Sequence, residues 1–169
     1  MRLLVLVLLV LCAAVSAASA AAPDKGASAG SFSVDSGRGR IVLTGSGVLV
    51  GRLVTGQLEI KDLSPSDRFS PRVLGVPRGK LVRLRGKDVG FYIPGGRYRI
   101  VVRGEGISLS ARGAGVALLD GEPDSVGATG LYAVDDAAQA PLPDDPAKVP
   151  FGKLPDEPED GAAKGSSTP

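Results

Sequence analysis

Histidine is absent from this 169-residue chain, and the single cysteine, Cys12, lies in an apolar leader. Imidazole-dependent triads, dyads and metal sites are therefore excluded. Once the leader is removed, so are thiol nucleophiles and thiolate zinc ligands. Carboxylates and guanidiniums remain as the groups able to do chemistry. Asp35, Glu59, Asp62 and Asp67 supply a glycosidase-type acid pair only if the fold brings two of them together, and their spacing does not demand it. A dyad of Ser64 or Ser66 with Lys80 has no better support. Asp120, Glu122 and Asp124 stand at alternate positions on an acidic loop and form a candidate Ca²⁺ site. That loop is shorter and poorer in ligands than an EF-hand. Gly45-Ser46-Gly47 and Gly104-Glu105-Gly106 look like phosphate-cradling loops. The dinucleotide fingerprint needs a helix after the glycines, and a strand pattern follows both. No cofactor is implied. The reading is of a non-enzyme, with a small secreted hydrolase using paired carboxylates as the alternative.

Basic residues give the stronger signal. The span Arg68–Arg103 holds ten Arg and Lys residues against one acid, Asp88. Arg83 and Arg85 share one side of an alternating segment, and Arg97, Arg99 and Arg103 share one side of another. If the two segments are neighbours, five guanidiniums face solvent together, with Tyr92 at the rim. Such a face attracts polyanions through its summed field and through bidentate contacts to phosphate or carboxylate. Arginine is also common on exposed strand faces, where its stem covers apolar neighbours. Nucleic acid is a poor candidate partner, because aromatic side chains do not interleave with the arginines.

The elements that must carry these residues read as strands. Leu58 and Ile60 alternate with Gln57, Glu59 and Lys61; Tyr98, Ile100 and Val102 alternate with Arg97, Arg99 and Arg103. Glycine or proline interrupts nearly every ten residues, so a stable helix is not expected. Glycine-containing turns are expected at Ser36-Gly37, Gly45-Ser46, Thr55-Gly56, Gly86-Lys87-Asp88, Pro94-Gly95-Gly96, Gly104-Glu105 and Gly113-Ala114. The segment starting Arg40-Ile41-Val42 returns 59 positions later at Arg99-Ile100-Val101, with Gly45, Gly47 and Gly56 matched by Gly104, Gly106 and Gly115. Each copy is expected to begin a three-strand meander, over 39–62 and 97–120. Two meanders covering each other's apolar faces predict a single antiparallel β-sandwich or partly open β-barrel of about ten short strands, with an internal pseudo-repeat.

Outside this domain, expected over 31–136, the chain changes character. Arg2, the apolar run Leu3–Leu11 and the small residues Ala18-Ser19-Ala20 have the form of a signal peptide over 1–20. Retained uncleaved, the leader is long enough to anchor in a membrane. A flexible lead follows over 21–30. Residues 137–169 are rich in Pro, Ala and acids and are expected to be a disordered tail, although Val149, Phe151 and Leu154 are able to dock on the domain edge. The expectation is a secreted, periplasmic or cell-envelope protein of bacterial type. It is expected to contact an anionic envelope polymer or a protein partner, with a self-assembling structural role as a further alternative.

Overall fold

A computed structural model of the chain describes residues 28–64, 71–74, 81–135 and 137–153. Among these the protein is all-β, with no helix, and forms one antiparallel sheet that does not close. The strands are β1 (Gly30–Asp62), β2 (Arg72–Val73), β3 (Leu81–Ile93), β4 (Arg97–Gly121), β5 (Leu131–Val134), β6 (Ala140–Pro141) and β7 (Ala147–Phe151). The order is β2-β3-β1-β4-β7, with β5 pairing β1 and β6.

The expected count of about ten short strands is wrong in an informative way. β1 runs 33 residues and β4 runs 25, through most of the anticipated turns. Gly45-Ser46, Thr55-Gly56, Gly104-Glu105 and Gly113-Ala114 lie inside continuous strands, and only Pro94-Gly95-Gly96 separates two elements. The meanders over 39–62 and 97–120 therefore do not form; each stretch is one bent strand. Gly47, Gly56, Gly104 and Gly113 have φ between 128° and 149°. Positive φ serves a kink as well as a reversal, and here the chain kinks and continues. A Cβ on Gly56 would meet the Arg103 carbonyl oxygen, and one on Gly104 that of Thr55. Only glycine permits the two backbones to approach in this way.

β1 and β4 pair with each other twice. Residues 39–46 have 97–104 on one edge and 114–121 on the other. The neighbours fall into two runs. The first, the arginine run, is β7, 114–121, 39–46, 97–104, 55–62 and 81–87. The second, the serine run, is β5, 30–35, 107–113, 47–53, 89–93 and β2. β1, β3 and β4 each pass from one run to the other. Alternate residues of both runs enter one apolar cluster: Ile41, Leu43, Ile60 and Ile100 from the first, Phe32, Leu49, Phe91 and Ile107 from the second. Full burial of each such side chain contributes about 1.5–3 kcal/mol.

The internal repeat extends beyond the segments that revealed it. Val42 pairs with Val101, its own counterpart 59 positions on, so a local pseudo-two-fold passes through that pair. The same offset relates Phe32 to Phe91, Arg38 to Arg97 and the whole of 30–62 to 89–121. β2 beside 89–93 corresponds to β5 beside 30–35, and 81–87 beside 55–62 corresponds to β7 beside 114–121.

The expected boundary at Asp136 is also corrected. Residues 137–153 belong to the sheet: β7 pairs with 115–119, and Leu142 and Phe151 are buried. The Phe151 ring lies 5.7 Å from that of Phe32. Pro150 is tolerated because β7 is an edge strand. Ser28 and Lys153 exchange backbone hydrogen bonds of 3.2 and 2.8 Å, and Gly30 already belongs to β1 rather than to a flexible lead. The expected leader over 1–20 and the tail beyond 153 lie outside the described residues, among which no helix is long and apolar enough to cross a membrane.

Candidate functional site

The outer face of the arginine run is built from the residues that alternate with the core. Cross-strand neighbours form rows. One row is Asp120, Arg40, Arg103, Gln57 and Arg85; the next is Leu118, Val42, Val101, Glu59 and Arg83. A third is Val116, Thr44, Arg99, Lys61 and Leu81, and beyond it Arg97 faces Ser46. The five arginines singled out from the sequence therefore share one face. They are not on adjacent strands, because residues 55–62 of β1 lie between Arg83 and Arg85 on β3 and the three arginines of β4. That interposed strand inserts Glu59 and adds Lys61. Arg40, the repeat counterpart of Arg99, also joins the face; the repeat itself was the signal that could have identified it.

Tyr92 is elsewhere. It pairs with Val50 and Arg72 in the serine run, because β3 changes run around Asp88, where φ is 52°. The outer side of that run carries Ser31, Ser33, Ser108 and Ser110, with Val48, Val50 and Tyr92 partly exposed.

Charge compensation on the arginine face is uneven. Arg83 donates to Glu59 at 2.9 Å, Arg103 to Glu122 at 3.2 Å, and Arg38 reaches Glu105 at 3.1 Å. Solvent-exposed pairs of this kind contribute about 0.2–1 kcal/mol each. Arg40, Lys61, Arg85, Lys87, Arg97 and Arg99 have no ion-pair partner among the described residues. Gln57 lies opposite Arg85, and with its amide turned so that the oxygen faces β3 it would accept from Arg85 Nε and Nη2. In that orientation it holds the guanidinium without neutralising it.

Between two rows lies an open groove of about 470 Å³. Its floor is the backbone of Gly56, Gly86 and Gly104. Arg85, Gln57 and Arg103 line one side; Lys87, Thr55, Glu105 and Arg38 line the other. A second groove of about 480 Å³ lies across the Arg85–Gln57–Arg103 row and extends to Arg40 and Arg83.

The acids proposed for other chemistry are dispersed. Asp120 lies opposite Arg40, Glu122 is paired with Arg103, and Asp124 accepts from the Val126 and Ala128 amides at 2.8 Å each. Those amides hold the Asp124 carboxyl below its ordinary range, that of Ala128 first. No three acids gather in a metal-binding group among the described residues. Glu59 and Asp62 lie on opposite faces of β1: Glu59 pairs with Arg83, and the buried Asp62 accepts from the Ser64 amide at 2.9 Å. Asp35 sits in the serine run with Ser36 as its neighbour and hydrogen-bond donor. Asp67, Ser66 and Lys80 lie outside the described residues.

One buried polar atom has no role in the face. Tyr98 Oη lies in the core without a hydrogen-bond partner among the described residues, and burial drives its phenol well above the ordinary tyrosine range. No known protein family matches the chain, and no curated protein or solved structure is similar to it.

Proposed function

We propose that the chain is an exported, non-catalytic β module of the cell envelope or exterior, and that the arginine face contacts an anionic polymer. The observation that carries this reading is the group Arg97, Arg99, Lys61 and Arg40, which stands on neighbouring strands without ion-pair partners among the described residues. Lys61 and Arg99 are direct cross-strand partners about 5 Å apart and Arg97 is two positions, about 7 Å, from Arg99, so the potentials of these three add within a Debye length; Arg40 extends the face two rows away, beside Asp120. A polymer that spans several cations gains from all of them, whereas a monovalent ion gains from one. The leader-like sequence of residues 1–20 supports export. The single apolar cluster shared by both runs supports a sheet doubled over as a sandwich.

The test is retention of the full chain on an anionic matrix across a salt gradient. Retention should fall steeply with salt, and Arg97→Ser with Arg99→Ser should elute several-fold earlier in ionic strength with an unchanged unfolding midpoint. A wild-type chain that passes through unretained at low salt overturns the reading. A second reading, self-assembly, rests on Val48, Val50 and Val54, which are exposed on the outer side of β1. Light scattering that grows with protein concentration and disappears in Val50→Ser would favour it.

A further inference from the structure

We infer that the glycine-floored groove is a seat for a phosphate-type oxyanion, and so the point at which the polymer proposed above is recognised rather than merely attracted; the inference rests on that reading. Gly86, Gly56 and Gly104 are successive cross-strand partners in the row that alternates with the outward-facing residues, so the middle of the groove is bare backbone. The residues on either side of this row project from the same face. Two positions apart on a strand is about 7 Å, a gap that Arg85 and Lys87 can close around a tetrahedral anion.

The walls are set for that task. Glu105 and Glu122 orient Arg38 and Arg103 at 3.1 and 3.2 Å, which leaves those cations present but largely compensated. Arg85 differs: its cross-strand neighbour is the neutral Gln57, whose amide oxygen can accept from the guanidinium and hold its fork while its charge stays available. One row away, the corresponding cross-strand pair is Glu59 with Arg83, where the acid cancels the charge. Lys87 lies opposite Thr55 and has no acid partner among the described residues. A held guanidinium, a mobile ammonium and an open floor between them suit an oxyanion with several acceptor oxygens. Arginine supplies the bidentate geometry and lysine the point charge.

The oxyanion has two possible sources, free phosphate and phosphate linked in a chain. The experiment follows backbone amide shifts of the full chain during titration with inorganic phosphate and, separately, with linear polyphosphate. Shifts centred on Gly56, Gly86 and Gly104 and abolished by Arg85→Gln with Lys87→Gln are the expected result. Polyphosphate binding at least tenfold tighter than inorganic phosphate identifies the chain-linked source; equal affinity identifies the free ion. Both exchanged side chains are exposed, so an unchanged unfolding midpoint is expected and separates lost binding from lost fold. Absence of groove shifts with both probes overturns the inference, as does their persistence in the double variant. If shifts then appear only around Arg97 and Arg99, the polymer-binding face survives without the seat. If the wild type is not retained on the anionic matrix, the face itself fails.

Discussion

The pseudo-two-fold gives the arginine run two related ends, and they are finished differently. At one end Gly86, Gly56, Gly104, Gly39 and Gly121 form an unbroken row across five neighbouring segments. At the other, the equivalent positions are Phe151, Gly115, Gly45, Tyr98 and Asp62. The first end is a groove. At the second, Tyr98 and Phe151 are each 1% exposed and extend the core. Charge diverges along the same axis. Arg38 lies opposite Glu105, whereas its counterpart Arg97 lies opposite Ser46. Arg40 has Asp120 as a neighbour, and its counterpart Arg99 has Lys61. Both copies keep the arginines, and the acids stand beside only one. The comparison separates what the architecture requires from what the surface has acquired: glycines at the crossings recur, and side chains in the same rows do not.

Five substitutions test this contrast. The largest effect is expected at the filled end, where Phe151→Ala should cost about 3–5 kcal/mol in urea unfolding. A cost below 1 kcal/mol would mean that β7 is dispensable. Next is Gly104→Ala, where φ of 149° and the Thr55 carbonyl leave no room for a methyl group; a loss of at least about 2 kcal/mol is expected. Gly86→Ala, in the same row but with only the Val89 side chain at 3.6 Å, should change stability by no more than about 1 kcal/mol. Equal penalties at the two glycines would remove the argument that close backbone approach fixes the row. Tyr98→Phe deletes an unpartnered hydroxyl and should raise stability by about 1 kcal/mol; a loss would reveal a partner for that oxygen. The smallest change in stability is expected from Ser46→Glu, which gives Arg97 the acid that Arg38 already has. Its fold should be unaffected within about 0.5 kcal/mol, while retention on an anionic matrix declines.

Alternation made the strands legible. Leu58 with Ile60, and Tyr98 with Ile100 and Val102, are buried on the side that the period of two assigns them. The fold class and the shared face of the arginines followed from that local pattern. The glycines were read correctly as positions of positive φ at Gly56, Gly104 and Gly113, but wrongly as reversals; at the expected turn Gly45-Ser46 the positive φ falls on Gly47 instead. Kink and hairpin make the same local demand, and the choice depends on a partner strand far along the sequence. Tyr92 was placed at the rim of the arginines with a turn expected at Gly86-Lys87-Asp88; β3 instead runs on through those residues and crosses to the other run around Asp88, taking Tyr92 with it. Pro141, Pro143 and Pro150 suggested a tail without structure; an edge strand needs few amide donors, and Phe151 and Leu142 supply the burial that alanine could not. Lys61 entered the site only through pairing register, which no single segment encodes, whereas Arg40 was within reach of the repeat that relates it to Arg99.

The bridge between Ser28 and Lys153 has a mechanical consequence. Whatever is attached before the one and after the other leaves the body at a single point, beside Gly30, Gly113 and Gly47. Opposing tugs on those two attachments would open the seam one bond at a time, as a zipper opens, instead of shearing a whole ladder at once.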